Sequence, residues 1–91
     1  MYARQTTVVN RTGLHARPAA EFVIEAKKHP CRITVRRAAE GCAAVNAKSI
    51  TRILAEGLSQ GAQVEVAADG EGETEAVDSL IALIDGGFGE L

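Results

Sequence analysis

The sequence predicts one α/β domain of the α+β kind. It is an open-faced β-sandwich in which three helices cover one face of a four-stranded, mostly antiparallel sheet, in the order βαββαβα. Three observations lead there. Residues 1–91 leave room for a single core only. The hydrophobic residues, 46% of the chain, recur with strand-like periodicity in four segments and with helical periodicity in three. Only three aromatics occur (Tyr2, Phe22, Phe88), so Val, Ile, Leu and Ala must fill the core of so small a fold.

Each element has its own signal. Residues 3–9 are rich in β-branched side chains and end at the turn formers Asn10 to Gly13, which predicts a strand. A helix follows over 16–28, with Ala19, Phe22 or Val23, and Ala26 on one side and Glu21, Glu25 and Lys28 between them. Lys27, Lys28 and His29 suit its negative end, and Pro30 stops it. Residues 31–37 alternate, Cys31, Ile33 and Val35 against Arg32, Thr34 and Arg36, as a half-buried strand does. A turn near 38–41 leads into a short strand over 42–45, pairing Arg36 roughly with Cys42. Asn46 is read as the N-cap of a helix over 47–56, with Ile50, Ile53 and Leu54 inward and Gly57 as its stop. Residues 63–68 alternate as a fourth strand. The last helix spans 74–84, with Glu71, Glu73 and Glu75 at its positive end and Ala76, Val77, Leu80, Ile81 and Ile84 on its apolar side. Gly86, Gly87 and Gly89 predict a frayed tail.

Composition narrows the function. There is no charged-then-apolar leader and no long apolar run, so a cytoplasmic location without membrane insertion is expected. Cys31 and Cys42 are too few and too irregular for a zinc site or a disulfide framework, and they read as small buried hydrophobes. His29 and Cys31 flank Pro30, but two ligands without a third make no metal site, and no cofactor is indicated. The net charge of −2 hides an asymmetry. All ten Lys and Arg lie in residues 1–52 with only Glu21, Glu25 and Glu40, a net +7; residues 53–91 hold nine acids and no base, a net −9. The bases are dispersed and no aromatics interleave with them, which speaks against nucleic acid and for an acidic protein partner.

The stretch "NRTGLHARPAAEF" at 10–22 carries the chemistry. The helical pattern begins just after His15, which places that residue at the N-cap, with Ala16, Arg17 and Pro18 as the first turn. Proline is accommodated there because first-turn N–H groups lack a helical partner. Histidine is a poor cap beside Ser, Thr, Asp or Asn, so its presence asks for another reason. The positive end of the helix favours a neutral, nucleophilic imidazole. The free amides of Ala16 and Arg17, with the Arg17 guanidinium beside them, form a seat for a phosphoryl dianion. Together they suit covalent phosphorylation on a ring nitrogen, while Gly13 lets the chain turn and leaves the ring open. Thr12 is expected only to support the turn.

"GLHARPA" at 13–19, "VNAKSI" at 45–50 and the order of elements resemble the HPr family, the histidine phosphocarriers of the phosphoenolpyruvate-dependent sugar phosphotransferase system. The resemblance spans essentially the whole chain. It implies that His15 accepts a phosphoryl group on Nδ1 from phosphorylated enzyme I and passes it to the A domain of a sugar-specific enzyme II, steadied by Arg17. It also implies Ser49 as a regulatory site for an ATP-dependent HPr kinase/phosphorylase serving a catabolite-repression regulator. The chain departs from kinase-regulated members at "ITRILAEG", where Arg52 replaces a small residue, and in a longer hairpin, "RRAAEGCA".

Three function classes stay open on the residues: a monomeric phosphoryl carrier without turnover of its own, a regulatory module of the same family or its nitrogen-type branch, and an acylphosphatase-like hydrolase using Arg17 as an anion clamp. Retention of His15 favours the first. Lys48, Ile50, Arg52 and Ile53 are the expected docking residues, forming a basic rim with an apolar patch.

Overall fold

The computed structural model describes residues 1–90. Its elements are β1 (Tyr2–Thr7), α1 (Ala16–Lys27), β2 (Arg32–Arg37), β3 (Val45–Asn46), α2 (Ile50–Ala55), β4 (Gln63–Asp69) and α3 (Glu73–Asp85), closed by a 3₁₀ turn, Gly87–Gly89. The sheet runs in the order β1-β4-β2-β3, and every pairing is antiparallel. The result is the open-faced sandwich that the alternating and helical periods predict.

β4 lies between β1 and β2, pairing through residues 63–68 with β1 and 64–69 with β2. Its Val64, Val66 and Ala68 are buried, together with Ile33 and Val35 of β2. Facing them are Ala19, Phe22, Val23 and Ala26 of α1 and Ala76, Val77, Leu80, Ile81 and Ile84 of α3. Each helix thus buries the stripe its sequence marks. Arg36 crosses from β2 to Glu65 of β4 at 3.0 Å on the polar side. Among the described residues no helix is long and apolar enough to cross a membrane.

Three local expectations are corrected. Asn46 does not cap α2; it belongs to β3, paired with Thr34. The β2 pairing persists to Ala47, whose N–H donates to the Ile33 carbonyl at 3.0 Å, so the chain cannot turn helical until later. Asn46 Oδ1 instead accepts from the Lys48 N–H at 2.9 Å, an Asx turn. The cap is Ser49, whose hydroxyl accepts from the Arg52 N–H at 3.3 Å. Cys42 lies in the turn before β3 and is half-buried, because the wide 38–44 connection delays pairing to Val45; the hairpin therefore does not pair Arg36 with Cys42. Cys31 is buried, and both cysteines are free.

The glycine-rich tail is docked and not frayed. Phe88 is only 5% exposed and joins the core cluster. Burying that ring offsets the ordering of the flanking glycines and the positive φ of 54° that Phe88 adopts.

Candidate functional site

The loop between β1 and α1 is held at both ends by main-chain bonds. Val8 donates to Ala62 and Gly61 donates to Val8, each at 2.8 Å, which extends the β1–β4 contact past the strand. The turn closes with the Gly13 N–H on the Asn10 carbonyl at 3.2 Å. Gly13 has φ of 65° and passes so close to the α2–β4 connection that a Cβ would lie 2.4 Å from the Leu58 carbonyl oxygen and 2.7 Å from Ser59 Cα. Only glycine fits there. Leu14 then donates to the same Leu58 carbonyl at 2.8 Å and buries its side chain completely. With residue 14 anchored inward, His15 is delivered to the surface.

His15 occupies the N-cap of α1 in extended conformation, φ −131° and ψ 161°, with no side-chain capping bond, and is exposed. The imidazole is therefore not engaged in holding the helix. Ala16 follows with φ of 51°, a left-handed conformation that costs an alanine about 1–3 kcal/mol. Strain of this kind is tolerated because Pro18 and Ala19 just beyond are buried and Leu14 just before is fixed. Arg17 is 68% exposed, its Nε 3.5 Å from Glu21 Oε1 one turn along. An exposed pair of this type is worth roughly 0–1 kcal/mol. A phosphoryl dianion at His15 would compete for the guanidinium with stronger, bidentate hydrogen bonds.

Two residues the sequence left without a role complete the site. Asn10 is fully buried, and its Nδ2 donates to the Gly13 carbonyl at 3.0 Å, Thr12 Oγ1 at 3.2 Å and Glu90 Oε1 at 3.0 Å. Thr12 also donates to Glu90 Oε1 at 2.9 Å, so it supports the turn as expected. The hydrogen bonds from Asn10 and then Thr12, aided by the nearby Arg17 charge, hold the Glu90 carboxyl below the usual carboxylate range. Asn10 carries a turn-former signal in the sequence; Glu90, at the far end of the chain, carries none.

The expected docking residues separate. Arg52 is exposed, and Ile50 is 40% exposed. Ile53 is fully buried, which corrects its assignment to a docking surface: α2 has a single inward side, and Ile53 occupies it. Leu54, expected inward with Ile50, is instead 42% exposed. Lys48 is half-buried, its ammonium 2.6 Å from the His29 carbonyl at the C-terminal end of α1. Ile24 on α1, a helix that packs against α2, is also 58% exposed. His29 lies apart from His15 in role. Its Nε2 is within 3.2 Å of Glu25 Oε2 and Ser79 Oγ, tying α1 to α3.

Known proteins resemble the chain over nearly its whole length. A family model described as "PTS HPr component phosphorylation site" matches residues 2–85. The phosphocarrier protein HPr of Pseudomonas aeruginosa is 39% identical over 90 residues, covering 99% of this chain and 98% of that protein. The protein of the same name from Haemophilus influenzae is 42% identical over 84 residues, covering 92% and 95%. A crystal structure of HPr-C-His from Thermoanaerobacter tengcongensis superposes with a TM-score of 0.92 at 44% identity, covering 100% of this chain and 99% of that one.

Proposed function

The chain belongs to the HPr family, the phosphocarriers of the phosphotransferase system, and from that premise we propose that His15 is its phosphoryl-accepting residue. The observation that carries the reading is an exposed imidazole at the N-terminal end of α1 that makes no capping bond, with the exposed Arg17 two residues on. The Nδ1 lone pair attacks the phosphorus of phosphorylated enzyme I, the bond that joins the phosphoryl group to the donor breaks, and the group is then handed to the A domain of an enzyme II. The Ala16 and Arg17 amides and the guanidinium hold the equatorial oxygens while their charge develops. The chain acts as a carrier, regenerated at each transfer, in the cytoplasm.

Docking uses the surface around the site. Arg17 and Arg52 supply positive charge and Ile50, with Leu54 and Ile24, apolar contact, while Lys48 is turned to the far end of α1; acidic, partly apolar faces of enzyme I and enzyme IIA domains complement it. Ser49 is the regulatory position. As N-cap of α2 it would place a phosphate at the positive end of that helix, beside Arg52.

The test is incubation with enzyme I and phosphoenolpyruvate followed by intact-mass measurement. The parent protein gains the mass of one phosphoryl group, labile to acid and stable to base, and His15→Ala gains none. Labelling of both proteins refutes His15. Repeated release of free phosphate favours the hydrolase instead.

A further inference from the structure

The tail does more than cover the core. Phe88 seats it, and its backbone closes with Gly89 donating to Gly86 at 3.3 Å and Glu90 to Gly87 at 2.9 Å. This brings the Glu90 side chain to the loop that presents His15, though the residues it meets there are about eighty positions earlier in the chain. Its Oε1 receives Asn10 Nδ2 and the Thr12 hydroxyl, and Oε2 lies 3.2 Å from that hydroxyl.

Asn10 shows why the carboxylate matters. The amide is completely buried, and its Oδ1 has no hydrogen-bond partner. An orphaned buried acceptor is costly, and neutral hydrogen bonds from the amino side compensate only in part. The bond to Glu90 Oε1, at 3.0 Å, is as short as the one to the Gly13 carbonyl. It keeps the amino group facing the Gly13 carbonyl, which is the bond that sets the turn two residues before His15.

We propose that Glu90 is a positioning residue for phosphoryl transfer: through Asn10 and Thr12 it fixes the 10–14 turn and with it the direction in which His15 is presented. The inference rests on His15 being the phosphoryl acceptor. Glu90 does not touch the transferred group; it acts on the loop. The docking side chains Arg52 and Ile50 stand on α2, and the hydrogen bonds of residues 86–90 go to α3, to the tail itself and to Asn10 and Thr12. The turnover term of transfer from enzyme I therefore depends on Glu90, and the Michaelis constant for this protein as substrate does not.

The experiment compares the parent chain with Glu90→Ala, Glu90→Gln and Thr12→Val, after intact mass has established that the parent is phosphorylated on His15. An unlabelled parent refutes the acceptor assignment; a labelled one passes the test to Glu90. Loosening of a reacting group's orientation reduces rate steeply, and Glu90→Ala is expected to lower kcat about three- to thirtyfold with KM unchanged. Glu90→Gln keeps an acceptor for both donors and recovers most of the rate. Thr12→Val, which leaves the Asn10 bridge, loses less than Glu90→Ala. Amide exchange at Gly13 and Leu14 accelerates in Glu90→Ala while β4 amides keep their protection. Parent-like kcat and exchange in Glu90→Ala overturn the proposal. So does a change confined to KM, which makes the tail a docking element, or an equal loss in Glu90→Gln, which makes the charge and not the tie the active feature.

Discussion

Gly13→Ala tests how the His15 loop is held. Two costs add. A Cβ at φ of 65° costs about 1–2 kcal/mol because it crowds the following carbonyl. It would also lie 2.4 Å from the Leu58 carbonyl oxygen and 2.7 Å from Ser59 Cα, both backbone atoms that no rotamer change can clear. Forcing such a shift costs about 1–3 kcal/mol more. Gly57→Ala is the control, since Gly57 has φ of 61° and nothing within 4 Å of its would-be Cβ. It isolates the conformational term. By urea unfolding, Gly13→Ala should lose about 2–5 kcal/mol and Gly57→Ala about 1–2, the difference being the contact. For a domain of this size that places the thermal midpoint of Gly13→Ala on the order of 8–40 °C below the parent. The shift also pushes the Leu14 N–H off the Leu58 carbonyl and misplaces His15, so transfer from enzyme I slows for the fraction that stays folded. Equal losses in the two variants would refute the close approach, and an unchanged transfer rate in Gly13→Ala would refute its link to His15.

Arg17→Ala should slow phosphoryl transfer about ten- to a thousandfold, measured by rapid-quench kinetics, while the urea midpoint barely moves because only an exposed pair with Glu21 is lost. Raising salt should slow association with enzyme I, since attraction between exposed charges is screened over about 8–10 Å; Arg52→Glu should lower the low-salt rate and flatten the slope without unfolding α2, whose N-terminal end accepts an acid. Superimposable salt series for Arg52→Glu and the parent would reduce the charge asymmetry to a solvated surface. Phe88→Ala should cost about 3–5 kcal/mol by thermal or urea unfolding, whereas a frayed tail would show almost no change.

Most of the fold was legible because its signals are local. Alternation marked β2 and β4, the apolar stripe of α3 was read residue for residue, and that of α1 was read except that Phe22 and Val23, given as alternatives, are both buried, since those faces meet a core whatever the topology. The placement of His15 was legible for the same reason: Gly13, His15, Arg17 and Pro18 lie at the start of one helix, within a few residues of each other. The start of α2 was misread because Asn46 and Ser49 are both good caps in sequence, and only pairing of residues 45–47 with β2 decides between them.

What the sequence determined by itself was therefore the set of elements, the inward faces of α1, α3, β2 and β4, and an exposed histidine at the start of α1. Tertiary structure decided what lies between them. It turned Ile53 inward and left Ile50 and Leu54 outside, because a six-residue helix has one narrow buried side whose phase is set by its start. It also brought the tail back to the first loop, with Phe88 in the core and Glu90 on Asn10 and Thr12. No periodicity encodes a contact spanning nearly the whole chain; it forms only when burial of the Phe88 ring outweighs the entropy of ordering a glycine-rich end.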